Sequence, residues 1–90
     1  MEKILTLHPL GKSGKNIDKQ KYNQIKYLII KYLKTKQLTF TQLLNQISKE
    51  LKGKFSGSIP WYLETVKLDL EARKIVQRIK NTKPQLYKLT

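Results

Sequence analysis

From Tyr22 onward, apolar residues recur at helical spacing: Tyr22, Ile25, Leu28, Ile29, Tyr32 and Leu33 share one face, while Lys19, Lys26, Lys31 and Lys34 flank it or point away. This pattern predicts a first helix over about residues 19–35, with Asp18 as its N-cap. Gln37 to Phe40 reads as a short extended link. Thr41 is then placed to cap a second helix that buries Leu43, Leu44, Ile47 and Leu51 and ends near Lys52, before Gly53. The glycine-bounded turn Gly53–Gly57 leads to Ser58, a cap for a third helix that carries Pro60 in its first turn, where a missing N–H costs nothing. That helix runs to about Arg73. Its main stripe is Ile59, Leu63, Val66 and Leu70, and Trp61, Thr65, Leu68 and Ala72 form a second, so the helix is gripped on more than one side. Beyond it, Ile75, Gln77 and Ile79 alternate with Val76, Arg78 and Lys80. Asn81 to Pro84 turn the chain, and alternation resumes through Leu86, Tyr87 and Leu89, which is the pattern of a β-hairpin. Ile25, Ile29, Leu44, Ile47, Leu63, Val66 and Leu70 are expected to be buried together.

Three helices followed by a hairpin predict a mainly α fold with a small β-hairpin, the order of a winged helix-turn-helix domain with a C-terminal two-stranded wing. The link between the first two helices is a candidate third strand. Residues 1–17, with apolar Ile4, Leu5 and Leu7, then His8-Pro9 and the turn-rich run Gly11 to Asn16, read as an N-terminal arm to a domain over residues 18–90.

Ninety residues suffice for one core and not for two. Cysteine is absent, which removes disulfides, thiolate zinc sites and thiol nucleophiles. The start of the chain is too short in apolar residues for a secretory signal, and the run Tyr27 to Ile30 stops at Lys31, far short of a membrane span. The expectation is a soluble cytoplasmic protein without integral membrane association.

Several segments carry a family resemblance: Leu7-His8-Pro9-Leu10-Gly11-Lys12-Ser13-Gly14 with Ile17 and Lys21-Tyr22, the link Leu38-Thr39-Phe40, and Gly57-Ser58-Ile59-Pro60-Trp61-Tyr62 with Val66 to Arg73. Over nearly its whole length the chain resembles a family of small uncharacterised bacterial proteins. The resemblance implies a winged-helix fold and no catalytic or ligand residue.

Candidate chemistry is sparse. Gly11-Lys12-Ser13 matches the end of a phosphate-binding loop, but the glycine that motif requires five residues earlier is Thr6. His8 stands alone, without the partners of a metal site or a base–nucleophile pair, and reads as a turn residue ordering Pro9. Glu64 and Glu71 bracket Lys67 at i+3 and i+4, which reads as a solvated salt-bridge ladder and not as an acid–base pair. Trp61, Tyr62, Phe55 and Tyr87 are read as packing residues, with base stacking as the sharper alternative. The expectation is therefore no enzyme, no metal and no cofactor.

Charge changes the picture most. Nineteen basic residues against six acidic give +13, which suggests attraction to a polyanion such as nucleic acid or to an anionic membrane surface, although all but Arg73 and Arg78 of the nineteen are lysine and arginine is the more diagnostic residue. Glu64, Asp69 and Glu71 bring the third helix to neutrality, so its face is wrong for the major groove, where carboxylates meet phosphates. Arg78, Lys80, Lys83 and Lys88 surround a protruding hairpin turn and are expected to have no acidic neighbour, and Lys12 and Lys15 lie in the arm. Two readings follow. One is a winged helix binding nucleic acid, double-stranded DNA above all, through phosphates and with weak sequence preference, using Lys12, Lys15, Arg78, Lys80, Lys83 and Lys88. The other is a protein-interaction or homodimerisation module that uses Glu64, Lys67 and Glu71 on the third helix.

Overall fold

The computed structural model describes all ninety residues, Met1–Thr90. In chain order its elements are β1 (Lys3–Leu5), β2 (Asn16–Asp18), α1 (Lys19–Leu33), β3 (Leu38–Thr39), α2 (Phe40–Leu51), α3 (Ile59–Ala72), β4 (Val76–Arg78) and β5 (Leu86–Leu89). Three helices and two small antiparallel sheets make this a mixed α/β fold, which corrects the expectation of a mainly α domain with one hairpin. The two-stranded sheet is β1–β2, at the N-terminal end. The strands after α3 are not a two-stranded wing: β5 is the central strand of a three-stranded sheet in the order β3-β5-β4. Leu38 pairs with Tyr87 on one side of β5, and Arg78 pairs with Tyr87 on the other.

Local chemistry explains the helix starts. The Asp18 carboxylate accepts from Gln20 N at 3.1 Å, and Ser58 Oγ accepts from Trp61 N at 3.2 Å. The second helix starts earlier than Thr41: Thr39 is its cap, and Gln42 reaches back to Thr39 N at 2.9 Å in a reciprocal capping box. At its other end, α3 stops where Lys74 adopts a left-handed φ of 64° and Ile75 N bonds back to Leu70 O at 2.9 Å.

The core lies among the helices and the inner face of the larger sheet. Ile25, Ile29, Leu43, Ile47, Leu63, Val66 and Leu70 are fully buried, and Val76 and Tyr87 close the core from β4 and β5. Leu44, expected in this set, is only half-buried, because the inward line of α2 runs through Leu43, Ile47 and Leu51.

Residues 1–17 do not form an arm. β1 pairs with β2 so that Ile4 sits opposite the buried Ile17, and Thr6 is buried with its backbone N–H on Lys15 O at 2.8 Å. Gly14 crosses so close to Thr6 that a Cβ there would stand 1.6 Å from the Thr6 carbonyl oxygen, which admits no side chain. The turn between these strands is held to α3 by Asp69. This carboxylate is fully buried and accepts from Leu7 N at 2.8 Å, from Arg73 Nε at 2.8 Å and from the Tyr22 hydroxyl. One side chain of α3 thereby joins the N-terminal hairpin, α1 and its own last turn. No helix is long and apolar enough to cross a membrane.

Burial, followed by the hydrogen bond to Asp69, pushes the Tyr22 phenol up from its ordinary 10.0 to about 12. A raised value favours the neutral phenol in the folded state, so its contribution is complete below about pH 10 and disappears between about pH 10 and 12. The stability advantage of the wild type over Tyr22→Phe should therefore shrink by about 2–3 kcal/mol across that window, read from urea unfolding of both proteins at each pH. Lys74→Gly should raise stability by about 0.5–1 kcal/mol by relieving a left-handed residue that bears a Cβ, visible as a higher thermal midpoint.

Candidate functional site

The turn that follows β1 lies beside α3 and β4 and forms a cleft of about 490 Å³ with them, lined by His8, Pro9, Leu10, Lys12, Leu68, Glu71 and Arg78. His8 orders the turn, accepting from Leu10 N through Nδ1 at 3.1 Å and from Gly11 N through its carbonyl at 3.0 Å. Two residues far apart in sequence and expected to meet a polyanion, Lys12 and Arg78, thus share one cleft. Lys74 stands at the same place, lining the neighbouring hollows with Pro9, Lys12 and Arg78. It was missed as a site residue because nothing in its sequence neighbourhood shows that the helix ends there in a left-handed turn aimed at the N-terminal segment.

Beneath this cleft is a buried ionic cluster. The Lys67 side chain is 1% exposed, and its ammonium contacts Glu64 Oε1 at 3.0 Å, Glu71 Oε2 at 3.1 Å and the Tyr87 hydroxyl at 3.3 Å. It also lies 4.6 Å from the centre of the Tyr87 ring. Arg78 Nε donates to Glu71 Oε1 at 2.7 Å. Burial pulls the Lys67 ammonium down, but the hydrogen bond to Glu64 and the charges of Glu71 and Glu64 outweigh it, and its pKa ends above the ordinary lysine value. The hydrogen bond to Glu71 likewise raises Arg78. Both cations stay charged.

Two expectations are corrected by this cluster. Glu64, Lys67 and Glu71 are not a solvated ladder, and they do not form an exposed interface: Lys67 and Glu71 are buried and only Glu64 is exposed. Arg78 does have an acidic neighbour, supplied by the fold and not by the sequence. Its side chain is 51% exposed, which leaves part of the guanidinium facing the cleft.

The remaining basic residues separate into distinct surfaces. Lys15 is exposed, with its backbone N–H bound to Thr6 Oγ1 at 2.8 Å. Lys88 pairs with Gln77 and is half-buried, so it points to the opposite face of the sheet from Arg78 and Tyr87. Lys80 and Lys83 are exposed on the β4–β5 turn, which closes through its own side chains. Thr82 Oγ1 donates to Ile79 O at 3.0 Å and accepts from Leu86 N at 2.9 Å, and Gln85 Nε2 reaches Ile79 O at 2.9 Å.

The aromatic residues at the start of α3 stack edge to face: Phe55 on Tyr62 at 5.2 Å and Tyr62 on Trp61 at 5.0 Å. Phe55 and Tyr62 are half-buried, with the Lys21 ammonium over both rings, whereas Trp61 is 43% exposed. No group of three or more His, Asp or Glu side chains gathers at a point.

A family model described as a family of unknown function, DUF6958, matches residues 3–87. No curated protein and no solved structure matches the chain.

Replacing Lys67 should separate a buried cluster from a surface ladder. Lys67→Met strips Glu71 of one of its two cations and leaves the Tyr87 hydroxyl without its partner. Loss of about 3 kcal/mol is expected by urea denaturation, against the few tenths that an exposed pair at this spacing contributes.

Proposed function

The chain belongs to the DUF6958 family, whose function is unknown, and from its own geometry we propose that it is a nucleic-acid-binding winged-helix protein that grips phosphates with weak sequence preference. The winged-helix part rests on order and pairing: α1, β3, α2, α3, β4 and β5 in sequence, with the sheet ordered β3-β5-β4.

One observation carries the binding part. Every carboxylate side chain is engaged within the molecule: Glu2 with Lys19, Asp18 at the start of α1, Glu50 with Lys31, Glu64 and Glu71 with Lys67, Asp69 with Arg73, and Glu71 with Arg78 as well. The excess of +13 is therefore carried by lysines with no acidic partner, among them Lys12, Lys15, Lys74, Lys80, Lys83 and Lys88. Such a surface attracts a polyanion from any direction and concentrates on it as counterions are released. In this reading the β4–β5 turn, with Lys80 and Lys83, and the cleft, with Lys12, Lys74 and Arg78, take phosphates on one duplex. Lys15 and Lys88 are auxiliary, since Lys88 lies on the other face of the sheet.

A second reading, a protein-interaction module, keeps one observation in its favour. Leu10 is 75% exposed next to the cleft and Trp61 is 43% exposed on α3, both large apolar side chains facing water.

A duplex of about 20 base pairs, titrated by fluorescence anisotropy, should bind in the micromolar range at about 50 mM salt and lose affinity steeply as salt rises. Lys80→Ala with Lys83→Ala should lower the slope of log affinity against log salt by up to about two, with the thermal midpoint unchanged. Absence of binding at low salt would transfer the weight to the protein-interaction reading.

A further inference from the structure

The exposed side chains of α3 are only Pro60, Trp61 and Glu64, and the N-terminal turn shares a cleft with Leu68, which leaves that helix little surface for a DNA groove. The exposed face of α2 is chemically different. Gln42, Asn45, Gln46 and Lys49 recur every three or four residues and are all exposed, opposite the buried line of Leu43, Ile47 and Leu51. Together with Thr35, Lys36 and Gln37 from the connection after α1, they line a concave surface of about 580 Å³ without a single carboxylate. Glu50, on the flank of α2, is turned toward Lys31 and Tyr32.

The amides are not equally free. Gln42 is committed to the capping box with Thr39. The bonds made by α2 leave Asn45 and Gln46 unengaged, although asparagine within a helix disfavours it and here repays nothing by capping. Two unengaged amides on adjacent positions, flanked by Lys36 and Lys49, have the composition of a face that reads base edges: an amide can donate to and accept from one adenine at once, while lysines hold the neighbouring phosphates.

We infer that α2, and not α3, presents the base-contacting face of this protein, with the Asn45 and Gln46 amides pairing with adenine in the major groove and Lys36 and Lys49 on the flanking phosphates. The inference rests on the nucleic-acid reading and locates within it the source of what sequence preference there is. The half-buried Lys88 of β5 lies nearby, because β5 runs antiparallel to β3 and Leu38 faces Tyr87.

The test uses the full chain and a set of 20-base-pair duplexes that differ only in a central four-base segment, measured by competition anisotropy. The wild type should prefer adenine-containing centres by about tenfold, the effect of one good bidentate contact. Asn45→Ala with Gln46→Ala should abolish that preference while keeping both the affinity for the least-favoured duplex and the thermal midpoint, since both positions are exposed and alanine favours the helix. Glu64→Gln should leave the preference intact. A preference that survives the double substitution, one that vanishes with Glu64→Gln, or equal binding to all duplexes by the wild type overturns the inference while the phosphate-binding reading stands. No binding to any duplex at low salt overturns both.

Discussion

The fully buried carboxylate of Asp69 is the constraint on which the arrangement of this fold depends. A charged group with no water around it is tolerable only where donors surround it, and here three come from three places: the Leu7 backbone, the Tyr22 hydroxyl and the Arg73 guanidinium. Meeting them all fixes the N-terminal turn against α3, sets the facing rotation of α1 and α3, and holds the last turn of α3 in place. The cleft that brings Lys12 to Arg78 exists because that turn is pinned. A cleft lined by residues 66 positions apart is, in this molecule, a by-product of satisfying one buried carboxylate.

Lys67 plays a similar part on the other side of α3. Its ammonium is surrounded by Glu64, Glu71, the Tyr87 hydroxyl and the Tyr87 ring, so the helix is tied to the larger sheet through polar contacts on its apolar stripe. Since Glu71 also holds Arg78, one acid links α3 to β4 and at the same time orients a cation in the cleft. The mixed polar and apolar packing explains why α3 is buried around so much of its circumference despite three acidic residues.

Much of this was legible in the residue pattern and some was not. The helices follow from apolar spacing and from Asp18 and Ser58, whose caps form as the residue types demand. The cap of α2 was also legible: Thr39 followed three residues later by Gln42 is the capping-box pattern, and it outweighs Thr41. Lys67 follows Leu63 by four residues and precedes Leu70 by three, which places it on the apolar stripe, so its burial had a sequence signal that its charge obscured. Asp69 had none. Its burial depends on a segment 62 residues away in the chain, and no local pattern encodes such a contact. The third strand was legible in the link before α2, but which strand it joins, and the separation of Lys88 from Arg78, depend on register.

The turn between β4 and β5 closes through the Thr82 and Gln85 side chains and the Ile79 N–H on Leu86 O, and the Lys80 and Lys83 side chains make no hydrogen bond in that closure. Shape and charge are therefore specified by different residues of the same short segment. Over evolutionary time such a turn can gain or lose cations one codon at a time, changing the charge it presents while its closure is untouched. Variation among related chains should then concentrate at positions 80 and 83 and spare 82 and 85.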